Sequence, residues 1–168
     1  MSRIPAVDPT RERGRLTNAL HGFGMSRAGR WYGIHVGSRV DPVLLRLTRG
    51  RFATTAFFPL VLLHVRGRKS GELRSVTLVY FTAGDEVILV ASSFGRARHP
   101  AWFHNLMASS EVEVEAGGIT ATYRPRLTEG AERERLYELA RRNYAGYGEY
   151  EAMAGDREIP VVALRPAT

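Results

Sequence analysis

Three short segments of the 168-residue chain hold most of the side chains able to grip an anion or handle a proton. The first is Arg66-Gly67-Arg68-Lys69-Ser70-Gly71, with three cations flanking or following a glycine, one hydroxyl and a second glycine. Glycine lets backbone N–H groups converge on a concavity that suits an anion. Arginine adds a forked donor for phosphate oxygens, and lysine adds a point charge. A solvated hairpin turn is the competing reading, because basic turns are common on protein surfaces. The spacing is not that of a Walker A loop.

The second segment runs from Ser92-Ser93-Phe94-Gly95 through Arg96, Arg98 and His99-Pro100 into Ala101-Trp102-Phe103-His104-Asn105-Leu106. Hydroxyls, a glycine and two arginines stand at the entrance to a short helix, where free N–H groups and the helix dipole attract anions. Trp102 fits either the core or a ligand face. Asn105 can hydrogen-bond the edge of a planar ring or satisfy backbone. The third segment holds Tyr144, Tyr147 and Tyr150, three apart with glycines between. It reads as a tyrosine-rich loop, either a mobile aromatic wall whose phenols orient a carbonyl or nitro group, or core filling.

Other chemistries find little support. There is no cysteine, so disulfides, thiolate metal sites and a cysteine nucleophile are excluded. His99 and His104 are five apart and do not share a helical face, and HExxH is absent, so no metal is expected. Neither a G-x-S-x-G elbow nor a G-x-G-x-x-G turn from strand to helix is found.

The elements that must position these segments follow from hydrophobic pattern and turn residues. Asp41-Pro42 marks a helix start. Leu60 to Val65 reads as a strand buried on both faces, and Leu73 to Phe81 as a second, with residues 66–72 as the turn between them. Gly84-Asp85 turns the chain into a third strand, Glu86 to Ala91. Pro100 opens a short helix with Trp102 and Leu106 on one face. Glu111 to Ala116 alternates acid and apolar residues, the pattern of a strand with one wet face. Gly117-Gly118 leads to the strand Ile119 to Leu127. Thr128 is placed to cap a helix reaching about Asn143, with Leu136, Leu139 and Ala140 facing inward. Ile159 to Leu164 is the last strand. Six strands joined mostly by hairpins imply an antiparallel barrel with peripheral helices, an α+β fold, since a parallel sheet would need βαβ alternation.

The bulk numbers agree with one globular domain: 44% of residues are hydrophobic and 24% charged. The formal net charge is +7. That favours anionic partners, or else reflects an arginine-rich composition in which Lys69 is the sole lysine. Residues 1–30 lack the apolar stretch of a signal peptide, and a cytoplasmic protein is expected. The aromatic residues are not interleaved with the basic ones, so a nucleic-acid partner is not expected. Residues 1–37 read as an N-terminal arm, lid or helix able to lean on a membrane, and 38–168 as the barrel domain.

The chain resembles the deazaflavin-dependent nitroreductase family, within the split-barrel flavin and deazaflavin oxidoreductases. The resemblance covers about Asp41 to Pro166. It rests on Arg49-Gly50-Arg51-Phe52, Gly67-Arg68-Lys69-Ser70-Gly71, Gly95 leading into His99-Pro100-Ala101-Trp102, Asn105-Leu106, the three tyrosines and Ile159-Pro160-Val161-Val162, in this order. It implies a split β-barrel, coenzyme F420 rather than FMN, and hydride transfer from the reduced deazaflavin to a small electrophilic acceptor: a quinone, nitroaromatic or activated alkene. By position it implies that Arg68, Lys69, Ser70 and Arg74 grip the cofactor's phosphate and acidic tail. Val90, Ser92, Ser93 and Gly95 would wrap the linker or phosphate, Trp102 and Asn105 would flank linker and ring, and Thr77 and Leu78 would pass the ring. Tyr147 would orient the acceptor and supply a proton to it, with Tyr144, Tyr150 and Val79 at the substrate. Two departures stand out: Val79 replaces an aromatic residue, and Ser93-Phe94 replaces a Lys-Gly pair, removing a cation that Arg96 or Arg98 can supply. The runner-up is a non-catalytic split-barrel carrier or binder of F420, FMN or haem. The assembly implied is a monomer or homodimer.

Overall fold

The computed structural model describes residues 3–10 and 58–167, together with Val40, Val43 and Leu47. The three isolated positions are helical. The helix start expected at Asp41-Pro42, the motif Arg49-Gly50-Arg51-Phe52 and most of the N-terminal segment lie outside the described residues.

Among the described residues, six strands appear where β-branched and aromatic residues cluster between turn residues. They are β1 (Leu60–Arg66), β2 (Leu73–Ala83), β3 (Glu86–Val90), β4 (Val112–Ala116), β5 (Ile119–Leu127) and β6 (Val161–Pro166). Every pairing is antiparallel, and the strands close into a ring in the order β1-β2-β3-β6-β5-β4. The Gly117-Gly118 hairpin has both central residues left-handed, at φ 58° and 81°, the arrangement whose twist matches paired strands. The expected antiparallel barrel is thus present, with β2 running two residues further and β6 beginning two residues later than the sequence pattern suggested.

Side-chain alternation along the strands builds two cores. Val61, Leu63, Val65, Tyr80, Leu89, Val114, Tyr123 and Leu164 fill the barrel. The outer faces of β2, β3 and β6 supply Phe81, Ile88, Val90, Val161 and Ala163 to the second. Covering that second core are α2 (Gly130–Asn143) and α3 (Gly146–Met153), through Leu136, Tyr137, Ala140, Tyr147 and Tyr150. The short helix α1 (Ala101–Met107) packs Phe103 and Leu106 into the barrel core.

The amino-terminal segment is docked where it is described. Ile4 is buried in the barrel core. Tyr80 Oη donates to Pro5 O at 2.9 Å, and Val7 exchanges hydrogen bonds with Thr82.

Two local expectations are corrected. Thr128 does not cap α2: its hydroxyl donates to Val161 O at 2.9 Å, while Glu129 occupies the cap position without a side-chain bond. A buried hydroxyl next to the β5–β6 pairing is satisfied there rather than at the helix end. The tyrosine-rich stretch is helix α3 rather than a loop, and it buries Tyr147 and Tyr150. Tertiary packing against β3 and the 92–95 loop overrides the low helix propensity of its glycines and tyrosines.

Candidate functional site

The basic turn is closed by its own backbone. Gly67 N donates to Glu72 O at 2.9 Å, and Gly71 N donates to Gly67 O at 2.7 Å. Gly71 is left-handed at φ 72°, which a side chain would strain. A Cβ on Gly67 would lie 2.6 Å from Ser70 Oγ, so the turn is tight enough to need glycine there. Arg68, Lys69 and Ser70 are exposed. Neither Arg68 nor Lys69 has a carboxylate partner among the described residues, whereas Arg74 faces Glu72 at 3.3 Å.

Asn105, buried on α1, accepts a hydrogen bond from Arg68 N at 3.1 Å. The structure therefore joins the first two segments: the helix that follows the serine loop anchors the basic turn. A groove of about 600 Å³ opens beside this contact, bordered among others by His64, Arg66, Arg68, Asn105, Glu111 and Glu113. Lys69 and Ser70 do not line it. Within it, His64 Nδ1 pairs with Ser75 Oγ at 2.8 Å, and its Nε2 lies 3.5 Å from Glu115.

From this turn, β2 runs along the barrel toward the tyrosines. Val76 and Leu78 pack on the barrel core, so by alternation Ser75, Thr77 and Val79 point to the outer face. Leu78 can border a ligand on that face only through its backbone. The Thr77 hydroxyl is buried and has no hydrogen-bond partner among the described residues. An orphaned hydroxyl costs about 1–3 kcal/mol, so it marks a position that a ligand's polar atom would satisfy. At the far end, Asn143 Nδ2 donates to Tyr80 O at 3.0 Å, pinning the start of the tyrosine segment one residue beyond Val79. Arg74 to Tyr80 is about 20 Å of extended strand, room for a long ligand with an anionic end and a planar end.

The serine loop meets the tyrosines. Ser93, Phe94 and Gly95 are successively left-handed, at φ 53°, 55° and 74°. For the two non-glycine residues this conformation costs about 1–3 kcal/mol each, strain of the kind concentrated at ligand sites. Gly95 is needed for contact, since a Cβ there would lie 2.6 Å from Met153 Cβ and 3.0 Å from Tyr150 O. Val90 sits beneath the loop in the same core as Tyr147 and Tyr150, and Phe94 makes an edge contact with Tyr150 at 5.8 Å. Trp102 is half-buried against the barrel core, so it is at once core and border.

The three tyrosines form one aromatic cluster. Tyr144 and Tyr147 are edge to face at 5.1 Å, and the Tyr144 and Tyr150 hydroxyls are 3.0 Å apart. Burial, with Tyr144 and Tyr137 adding to it, pushes the Tyr147 phenol well above its ordinary value. It is a neutral hydrogen-bond donor at any physiological pH, and its hydroxyl has no hydrogen-bond partner among the described residues. The sequence did not single out Arg157, which bonds three backbone carbonyls of the serine loop, or Asn143. Nothing in their spacing signals it, because their main-chain partners lie far away in sequence.

The residues present suit an elongated anionic cofactor: unpaired cations on a rigid turn, an unsatisfied hydroxyl on the adjoining strand and an aromatic cluster beyond. Comparison with known proteins agrees. Residues 38–166 match the family model described as F420H(2)-dependent quinone reductase. The chain is 35% identical over 145 residues to an F420H(2)-dependent quinone reductase of Mycobacterium tuberculosis, covering 80% of this chain and 95% of the relative. Among solved structures it is similar to an F420-H2 dependent reductase, FDR-A, at 36% identity and a TM-score of 0.59, over 64% of this chain and 94% of that one. A second similar structure, a domain-swapped dimer, has the same identity and TM-score over 64% of this chain and 80% of its own. The chain belongs to the F420H(2)-dependent quinone reductase family, as an oxidoreductase whose cofactor is coenzyme F420.

Proposed function

We propose that this reductase takes a quinone as acceptor, with the anionic end of F420 at the Arg68–Ser70 turn and the deazaflavin along the outer face of β2. The single observation that carries this placement is the pair of cations, Arg68 and Lys69, without carboxylate partners among the described residues, on a turn locked by Asn105. When bound, F420 supplies the hydride. Arg68, Lys69 and Ser70 hold phosphate and carboxylate oxygens, with Arg74 a weaker contributor because Glu72 competes for it. Thr77 donates its free hydroxyl to the ring edge, and Val79 borders the acceptor. Val90, Ser92, Ser93 and Gly95 shape the loop over the linker, and Trp102 closes the side. Tyr144 and Tyr150 wall the acceptor site.

Tyr147 orients the acceptor oxygen by hydrogen bonding. Its raised pKa keeps it a neutral phenol, able to donate a hydrogen bond to that oxygen. Holding the partners in register supplies most of the acceleration. A homodimer is the working assembly, after the similar chain that forms a domain-swapped dimer.

The test is oxidation of reduced F420 by purified protein with a naphthoquinone, compared with a nitroaromatic and an activated enone. Lys69→Ala should weaken F420 binding by about 10- to 100-fold, the range for a charge-assisted contact. Tyr147→Phe should lower kcat by roughly tenfold with little change in F420 affinity. Unchanged turnover in Tyr147→Phe with all three acceptors would remove the orienting role. F420 binding without oxidation by any acceptor would favour a carrier.

A further inference from the structure

We infer that Arg157 is a positioning residue for the cofactor loop, its guanidinium holding Ser92–Gly95 in the left-handed turn that receives F420. The inference rests on the reading of that loop as part of the F420 site. Arg157 follows α3, just past the left-handed Gly155. Its Nε donates to Arg96 O at 2.9 Å and its Nη2 to Ser92 O at 2.7 Å. Its Nη1 lies 3.4 Å from Ala91 O and 3.1 Å from His99 Nδ1. These four bonds bracket the strained pair Ser93 and Phe94 from both sides.

The loop holds itself weakly. Its own backbone contributes Gly95 N to Ser92 O and Arg96 N to Ser93 O, at 3.0 and 3.2 Å. Ser92 and Arg96, the residues on either side of the turn, thus both have their carbonyls gripped by one rigid plane. A guanidinium supplies five donors in a fixed fork, whereas an ammonium offers three around a point and cannot span these acceptors together.

Arg157 has no carboxylate partner among the described residues, although it is half-buried. A phosphate seated on the loop would meet this uncompensated charge. That adds positive potential at the turn Ser92–Gly95, which carries no cation within itself. The same side chain ties the loop to the end of the helix bearing Tyr147 and Tyr150, so the cofactor loop and the acceptor wall share one anchor.

The experiment compares wild type, Arg157→Lys and Arg157→Ala by F420 titration, amide hydrogen exchange and thermal melting. In Arg157→Lys the F420 dissociation constant should rise by about tenfold, with amides of residues 93–96 exchanging faster while those of β1 and β4 stay protected. Guanidinium ion at tens of millimolar should restore at least part of the affinity of Arg157→Ala and should do nothing for wild type. F420 affinity within twofold of wild type in Arg157→Lys overturns the proposal. So does a loss of affinity in which β1 and β4 lose protection together with the loop and guanidinium restores nothing, which marks a general structural role. Wild-type protein that fails to bind F420 overturns the reading of the site instead, and loop exchange in the variants still decides whether Arg157 holds the turn.

Discussion

Asn105 on α1 and Arg68 in the β1–β2 turn are joined by a 3.1 Å hydrogen bond, side-chain oxygen to backbone N–H. This contact fixes the turn without consuming its charge, since the Arg68 guanidinium stays free of carboxylates among the described residues. Asn105→Ala should cost about 1 kcal/mol of stability in urea unfolding, as expected for one hydrogen bond whose donor water can reach. F420 affinity should fall by roughly tenfold at the same time, because the turn loses its anchor. Equal binding by the variant would show that the turn is rigid on its own.

Thr77→Val separates stability from binding. The two side chains have nearly the same shape, and the hydroxyl removed is buried and unpaired among the described residues. The variant without cofactor should be more stable by about 1 kcal/mol, read as a higher melting temperature, because an unsatisfied polar atom is gone. Its F420 affinity should decrease. A destabilised variant would mean that the hydroxyl is satisfied in solution.

Gly95→Ala should be among the more damaging small changes. The added Cβ meets Met153 Cβ at 2.6 Å and Tyr150 O at 3.0 Å, at a residue whose φ is 74°. Backbone strain and overpacking together should cost about 2–4 kcal/mol. The loss is measurable by denaturant titration, with F420 binding lost in parallel.

His99 gives the loop a pH dependence. Burial, then the charge of Arg157, then His104 lower its pKa below 6.5, so folding favours the neutral ring that accepts from Arg157. Between the folded and unfolded pKa values the unfolded chain binds more protons, so stability rises with pH there. The contribution is complete above 6.5 and is lost as pH falls through the depressed value. Melting temperature should therefore drop as pH is lowered from about 7 to 5, and His99→Asn, which keeps an acceptor but cannot protonate, should flatten that slope. A slope shared by both proteins would assign the effect to other groups.

The strands were legible because β-branched runs and glycine turns agree with one another along the chain. The site was legible in its types but not in its joints. The tyrosine segment has poor helix formers, so α3 arises only once β3 and the 92–95 loop offer Tyr147 and Tyr150 a core. Thr128 has the chemistry of a cap, yet its hydroxyl donates to a carbonyl 33 residues away. Leu78 and Thr77 are adjacent in sequence but face opposite sides of β2, a distinction that needs the register. Arg157 is one arginine among many, and its importance lies in main-chain carbonyls some 60 residues earlier.

The closed ring has a kinetic consequence. Closure pairs β1 with β4 and β3 with β6, strands separated by about 45 and 70 residues of intervening sequence. Such distant pairings must be searched for before any of them is rewarded, so folding should be slow, on the order of milliseconds to seconds. Until the last pair zips, two strand edges stand open to other chains, and aggregation in this interval, rather than instability of the finished barrel, should limit the yield of weakened variants.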